Sequence, residues 1–253
     1  MPHRTPLAAP SRRRTPPLVA LGALALLFVV GGCTAWRIGQ ARDLAKRSEP
    51  AQQQPAAPRA RVLIVGDSTA VGTGAENAAN SVGGRLAAAY PSLWVDNRGR
   101  DGARWADVPG QLDGTARYDA VLVLAGGNDV IRLTSLADVE RSIDATLARA
   151  RRISDHVVVM PAGNVGNAPF FFWPLNRWMT ERSRSMHAAV RAAAERRGAG
   201  YVSLFKESAD DPFASQPGLH ASDGLHPSDA GYSLWWQALM SQTRLADWIA
   251  AAR

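Results

Sequence analysis

The chain has 253 residues, of which 46% are hydrophobic and 20% are charged, and its formal net charge is +7. This length fits one globular domain of about 150–200 residues with a non-globular extension, and such a domain folds without disulfides or a structural metal. Residues 1–60 contain nine Arg or Lys and two Asp or Glu, whereas the remaining residues contain 20 of each kind, and a neutral domain offers no electrostatic footprint for nucleic acid.

The N-terminal segment is predicted to bring the chain to a membrane. Residues 1–17 form a basic segment that includes Arg12–Arg14, and no residue from Thr15 to Trp36 is charged. We therefore expect residues 18–38 to be a membrane anchor or a lipoprotein signal, because about 20 apolar residues span a bilayer. Small residues before Cys33 favour the lipoprotein signal, the helix-forming residues after it favour an uncleaved signal anchor, and a cleaved signal peptide is the third alternative.

The orientation of that segment predicts where the catalytic part of the chain lies. Basic residues flank the apolar run on both sides, but the compact triplet Arg12–Arg14 favours an N-terminus inside the cytoplasm. We expect the domain to be extracytoplasmic, in the periplasm or at the cell surface. Cys33 is the single cysteine of the chain, so an intrachain disulfide is impossible.

Residues 39–60 are predicted to be a Pro/Gln/Ala-rich linker, and residues 61–253 the globular domain. Short apolar runs without polar alternation predict buried strands at residues 62–65, 92–96, 120–125, 156–160 and 201–205. Helical patterns lie between them at residues 78–90, 103–113, 135–152 and 175–197, and a last one is predicted to run from about residue 228 to the C-terminus. This order predicts the α/β class, as a three-layer α/β/α sandwich around a parallel, five-stranded, flavodoxin-like sheet.

A candidate nucleophile follows the first predicted strand. Such folds bind ligands at the carboxyl ends of their strands, and residues 66–72 there read GDSTAVG. A serine on a tight strand-to-helix turn exposes its hydroxyl, and its own N–H can donate to an oxyanion. Ser68 is therefore a candidate nucleophile, although a turn with a helix-capping serine would look the same.

Two further loops offer hydrogen-bond donors. The second strand is followed by the segment Asn97–Gly102, in which Gly99 would let a backbone N–H approach a substrate. The third strand is followed by Gly126–Asp129, in which the Asn128 amide could donate to an oxyanion. A plain loop and an Asn/Asp turn are the simpler alternatives for the two segments.

A candidate acid–base pair lies near the C-terminus, where residues 223–227 read DGLHP. Asp223 and His226, three positions apart on a loop, can face one site, and the carboxylate can orient the imidazole that takes a serine proton. The alternative is that His226 merely precedes the cap of the last helix. His220 lacks an Asp three positions before it, so we do not expect it to be the base.

The four segments, in this order across residues 66–227, resemble blocks I, II, III and V of the SGNH (GDSL-like) hydrolase family. The first reads GDST where the family name has GDSL, a position at which members vary. The resemblance implies that Ser68 is the nucleophile, with His226 and Asp223 as base and orienting acid. It also implies an oxyanion hole formed by the Ser68 N–H, Gly99 and Asn128, and no metal or organic cofactor.

The expected function is a serine-dependent carboxylic-ester hydrolase that acts through an acyl-enzyme on short or medium acyl esters. Its substrate would be a small-molecule, lipid or acylated-sugar ester. One alternative is an O-acetyl deacetylase of cell-envelope polysaccharide, and another is a catalytically silent binding protein on the same fold. The aromatic run Phe170–Trp173 would be a pocket rim, a lid or a membrane-dipping patch, or ordinary packing. The natural substrate and the oligomeric state do not follow from the sequence.

Overall fold

The protein, seen in a computed structural model that describes residues 17–114 and 116–252, contains the expected five-stranded parallel sheet. The strand order is β2-β1-β3-β4-β5, and every neighbouring pair is parallel. The strands are β1 (Ala60–Gly66), β2 (Leu93–Asn97), β3 (Ala120–Leu124), β4 (Val157–Val159) and β5 (Gly200–Tyr201). The predicted α/β class and sheet are thus confirmed.

Helices cover both faces of this sheet. The described helices are α1 (Pro17–Arg47), α2 (Ser68–Val71), α3 (Val82–Ala89), α4 (Val108–Gln111), α5 (Gly127–Ile131), α6 (Leu136–Ile153), α7 (Leu175–Arg197), α8 (Pro212–Ser215), α9 (Asp229–Gln242) and α10 (Leu245–Ala251). Single 3₁₀ turns lie at Ala78–Asn80, Trp105–Asp107, Val165–Asn167 and Pro217–Leu219.

The central strands are buried on both faces, which explains their uninterrupted apolar sequences. Because side chains alternate along a strand, Leu63 and Val65 of β1 pack with α4, α6 and α7, whereas Val62 and Ile64 pack with α3, α9 and α10. Two apolar layers therefore enclose the sheet, and the three-layer sandwich follows from this alternation.

The last strand is shorter than the sequence predicts. We expected residues 201–205, but β5 contains only Gly200 and Tyr201. One further ladder hydrogen bond runs from the Val202 N–H to the Val159 oxygen. Beyond it the backbone of Ser203 bonds the side chain of Gln242, at 2.8 Å through its N–H and 3.3 Å through its oxygen. This side-chain pairing replaces the sheet ladder and ends the strand.

Residues before Pro17, including the predicted basic segment, lie outside the described part of the chain. Helix α1 includes the segment predicted as an anchor and extends into the predicted linker. Within the described residues, no helix combines the length and the apolar character needed to cross a membrane. The rest of the predicted linker is held against the edge of β2. Gln53 exchanges two backbone hydrogen bonds with Val95, and the Gln52 side chain bonds the backbone of Asn97.

Candidate active site

The sheet topology brings the candidate residues to one edge. Strands β1 and β3 are neighbours, and β2 and β4 flank them. The chain runs from β1 to β2 on one side and then to β3 on the other, so the strand order reverses at this point, which is where open α/β sheets bind ligands. Ser68 follows β1, and Asn128 follows β3.

The turn that carries Ser68 is organised by the carboxylate of Asp67. This residue caps α2: one oxygen accepts hydrogen bonds from the Thr69 N–H (2.9 Å) and the Thr69 hydroxyl (2.7 Å). The other oxygen accepts from the Gly126 N–H at 3.1 Å. Burial raises the pKa of Asp67, although these donors oppose the effect. Asp67 therefore joins the turn after β1 to the turn after β3.

The end of β1 tolerates only glycine. Gly66 has φ +142°, and a Cβ built there would lie 1.8 Å from the Leu124 backbone oxygen. The side chain of Gln111 bonds both backbone groups of Gly66, accepting from its N–H at 2.7 Å and donating to its oxygen at 2.9 Å. The strand end that precedes the candidate nucleophile is thus fixed from two sides.

Ser68, His226 and Asp223 form a continuous hydrogen-bonded chain. His226 Nε2 lies 3.0 Å from Ser68 Oγ, and His226 Nδ1 lies 2.6 Å from Asp223 Oδ2. The other Asp223 oxygen accepts the N–H groups of Leu225 (2.9 Å) and His226 (3.1 Å). In the tautomer that this network requires, Nδ1–H donates to the carboxylate and Nε2 accepts the serine hydroxyl proton.

The Asp223 carboxyl group is buried. Burial alone raises its pKa, but the hydrogen bond and charge of His226, together with the two backbone N–H donors, outweigh burial and hold the pKa of Asp223 below its ordinary value. Asp223 is therefore an anion at neutral pH.

Gly74 packs closely against His226 because it has no side chain. Gly74 has φ +99°, and a Cβ there would lie 2.8 Å from the His226 Cβ and 2.5 Å from the Pro227 oxygen. On the other side, the Ala221 N–H bonds the His226 carbonyl at 2.8 Å. The imidazole is held by its backbone, by Asp223 and by this close packing.

Of the two loop residues predicted as oxyanion donors, the structure places Asn128 in the cavity lining but not Gly99. Asn128 lines the same cavity as Ser68, and one amide hydrogen bonds the Ala103 oxygen at 3.1 Å, which leaves the other hydrogen for a ligand. Gly99 is not brought to the cavity. Its N–H donates to the Asn97 side chain at 3.0 Å, and a Cβ built at this position would lie 2.8 Å from the Ala70 Cβ.

Gly102, three residues further along the same loop, lines the cavity instead. It has φ +74°, and no hydrogen bond of its N–H to another described residue is present. The loop is tied to the turn after β3 by the Asn128–Ala103 bond and by a 2.9 Å bond from the Trp105 N–H to Asp129. The segment Asn97–Gly102 contains both glycines, and only the folded structure shows that Gly102, and not Gly99, lines the cavity.

These groups open into a cavity of about 450 Å³. Its lining is mainly apolar, with side chains from the loops after β3, β4 and β5 and from the C-terminal region: Ile131, Val165, Phe170, Leu204, Leu225 and Trp235. Helix α1 contributes Ile38, Ala41, Arg42 and Ala45 to the same cavity. A site with a few polar groups in an apolar cavity suits an uncharged, partly apolar ligand.

The remaining candidates have other surroundings. His220 also lines the cavity, but its Nε2 bonds the Phe213 oxygen at 3.0 Å, and burial lowers its pKa, so it stays neutral. The aromatic run divides into separate roles. Phe170 lines the cavity, Phe172 lies under the guanidinium of Arg37 at 4.8 Å, and Trp173 is 75% exposed.

The arrangement can transfer a proton from the Ser68 hydroxyl to His226 and stabilise the resulting imidazolium through Asp223. Ser68, Gly102 and Asn128, whose N–H groups could act as donors, line the same cavity. Chemically this combination suits attack on a carbonyl carbon and stabilisation of a tetrahedral oxyanion.

Comparison with known proteins places this fold and these motifs in one family of hydrolases. The model of the GDSL-like lipase/acylhydrolase family matches residues 64–234, whereas no curated protein sequence was found to match. Among solved structures, LAE5, an alpha/beta hydrolase enzyme from the metagenome of Lake Arreo, Spain, is 22% identical, with a TM-score of 0.56 over 74% of this chain and 95% of its own. A variant of Axe2, an acetyl-xylooligosaccharide esterase from Geobacillus stearothermophilus, is 22% identical, with a TM-score of 0.55 over 75% and 96%.

A third solved structure, a member of the lipolytic G-D-S-L family from Veillonella parvula, is 13% identical, with a TM-score of 0.57 over 72% of this chain and 96% of its own. At these identities the solved structures establish the fold alone. The family match covers more than half of the chain and includes Ser68, Asp223 and His226. The chain belongs to the GDSL-like lipase/acylhydrolase family and is a hydrolase that acts on ester bonds.

Proposed function

We propose that the chain is a serine-dependent carboxylic-ester hydrolase that acts through an acyl-enzyme on short or medium acyl esters. The observation that carries the proposal is the unbroken contact chain from Ser68 through His226 to Asp223, at 3.0 and 2.6 Å. These distances lie within the reach required of a nucleophile, its general base and an orienting acid.

In the first half of the reaction, the Ser68 oxygen attacks the ester carbonyl carbon while its proton passes to His226 Nε2. The carbonyl oxygen becomes an oxyanion in a tetrahedral intermediate. When the carbon–oxygen bond to the alcohol breaks, the leaving oxygen takes the proton from His226, and the acyl group remains on Ser68. Asp223 stays ionised throughout, consistent with its lowered pKa.

In the second half, water replaces the alcohol. His226 takes a proton from the water as its oxygen attacks the acyl carbon, and a second oxyanion forms. Collapse of this intermediate breaks the bond to Ser68, whose oxygen regains the proton from His226, and the carboxylic acid leaves. Every proton is returned, so the cycle needs no cofactor.

For the oxyanion hole we propose the Ser68 N–H, the Asn128 amide and the Gly102 N–H. Gly102 replaces the expected Gly99, because the Gly99 N–H is already bonded to Asn97. The turn and loops that carry these donors are joined by the hydrogen bonds of Asp67 and Asp129. Donors held in this way need little reorganisation as charge develops.

The apolar cavity of about 450 Å³ beside Ser68 supports a substrate with an acyl chain. A second candidate is an O-acetyl deacetylase of cell-envelope polysaccharide. It is favoured by the likeness to the solved structure of an acetyl-xylooligosaccharide esterase variant. In the acyl-ester hydrolase the cavity would hold the acyl chain of the substrate. In the deacetylase it would hold the sugar.

The test is hydrolysis of p-nitrophenyl esters of increasing acyl length by the full chain, together with acetate release from acetylated polysaccharide. We expect Ser68→Ala and His226→Ala each to lower kcat by about 10⁶-fold. Ser215→Ala and His156→Ala, at residues that are not part of the cavity lining, are the matched controls. A folded wild-type chain that hydrolyses neither kind of ester would refute the proposal. Acetate release without hydrolysis of longer acyl esters would favour the deacetylase.

We also propose that the N-terminal segment tethers the enzyme to a membrane, with the catalytic domain outside the cytoplasm. The support is the uncharged run from Thr15 to Trp36 behind the basic triplet Arg12–Arg14. The test is the mass of the mature N-terminus isolated from membranes. An unprocessed segment supports the signal anchor, and a diacylated Cys33 supports the lipoprotein. Recovery of the whole protein in the soluble fraction would refute the tether.

A further inference from the structure

Helix α1 lies beside the active site although it precedes the family's motifs in the chain. Its residues Ile38, Ala41 and Ala45, here called the α1 wall, line the cavity that contains Ser68 and His226. Their spacing of three and four places them on one face of the helix. The residues matched by the family begin at position 64, so this wall lies outside the matched region.

Several contacts fix the α1 wall in place. On the cavity side, the Arg37 guanidinium donates to the Pro169 carbonyl and lies over the ring of Phe172 at 4.8 Å. After the helix, the Gln53 backbone pairs with Val95 at 3.1 and 2.9 Å. The short connection between Arg47 and Gln53 is therefore anchored to the edge of the sheet, and α1 is held at both ends of the wall.

The space beside Ser68 depends on small residues in the wall. Positions 41 and 45 are alanines in a cavity lining to which Phe170 and Leu204 also belong, and the larger Ile38 is 37% exposed. The cavity lining is mainly apolar, although Arg42, Asp101 and Arg132 also belong to it, and such a lining suits methylene groups.

We propose that the α1 wall binds the acyl chain of the substrate and limits its length. This role rests on the proposed hydrolysis of esters by Ser68. It assigns substrate specificity to a helix that lies outside the motif-bearing residues. A longer side chain at position 41 or 45 would occupy the volume that the far end of an acyl chain needs, while an acetyl group, which ends close to Ser68, would not reach it.

The test compares the full chain with Ala41→Leu and Ala45→Leu on p-nitrophenyl acetate, butyrate and octanoate, after subtraction of the Ser68→Ala rate. One methylene in a hydrophobic pocket changes kcat/KM by about 10–200-fold. We expect each variant to lose at least tenfold in kcat/KM on octanoate and to stay within about twofold on acetate. Ala35→Leu makes the same change on the same helix at an exposed position and should leave the chain-length profile unchanged.

Retained acetate hydrolysis also shows that each variant is folded. An unchanged profile in both wall variants, or an equal loss on all esters, would overturn the role of the wall while leaving ester hydrolysis intact. A wild-type chain that hydrolyses none of the esters would overturn the proposed function, and the role of the wall with it.

Discussion

Protonation of a buried histidine next to the active-site loops should make the stability of the protein pH-dependent. His187 of α7 is 5% exposed. Its Nε2–H donates to the Ala162 oxygen at 2.8 Å, and its Nδ1 lies 2.6 Å from the Tyr201 hydroxyl. Ala162 follows β4 and lines the cavity, so His187 joins α7 to a wall of the site.

Burial, opposed by the hydrogen bond to Ala162, lowers the pKa of His187 from its ordinary value of 6.5 to about 4. Between these values the unfolded chain binds a proton that the folded chain does not, so stability is full above pH 6.5 and falls as the pH drops towards 4. At about 1.4 kcal/mol per unit of pKa, the loss across this window is about 3 kcal/mol.

The assay is urea unfolding of the wild type and of His187→Gln at several pH values between about 7.5 and 4.5. Glutamine keeps a donor and an acceptor but does not titrate, so the two chains are compared by their slopes with pH and not by their absolute stabilities. We expect the wild type to lose about 2.5 kcal/mol more than the variant over this range, which ends half a unit above the pKa of His187 in the folded chain. Parallel slopes would show that His187 does not remain neutral in the folded state and would refute the reasoning.

Three further predictions concern the site itself. Asn128→Ala should lower kcat by about 10²–10³-fold with little change in KM, because an amide donor to the oxyanion acts mainly in the transition state. A variant with an altered KM and an unchanged kcat would contradict this role. Asp223→Asn should lower kcat by about 10⁴-fold in a folded chain, because His226 then adopts the wrong tautomer; steady-state kinetics and circular dichroism measure both parts. Asp67→Ala should destabilise the chain by about 1–3 kcal/mol in thermal or urea unfolding, because the buried Gly126 N–H loses its acceptor; unchanged stability would contradict the joining role of this carboxylate.

The main features of the fold were predictable because the physical signals are local. Buried parallel strands have uninterrupted apolar sequences, and those of β1 and β3 are easy to detect. The sequence motifs then placed Ser68 and Asn128 at the ends of the first and third predicted strands. The structure makes these strands neighbours and brings Ser68 together with His226 and Asp223. The helices α2 and α5 were missed because four or five residues are too short to show a helical period.

Other features depend on contacts between distant parts of the chain. The sequence could not decide between Gly99 and Gly102, because the choice depends on the Asn97 side chain that captures the Gly99 N–H. Likewise, the linker composition gave no sign that Gln53 pairs with β2, since the partner strand begins about 40 residues later. The packing of α1 against the cavity was missed for the same reason.

The most direct test of the central claim is covalent labelling of the folded full chain by a serine-reactive fluorophosphonate, with the modified peptide identified by mass spectrometry. The nucleophile proposed here predicts one adduct, on Ser68, which Ser68→Ala abolishes and His226→Ala strongly slows, while Ser215→Ala labels at the wild-type rate. A folded chain that is not labelled at Ser68, or is labelled equally fast without His226, would contradict the claim that this serine is an activated nucleophile.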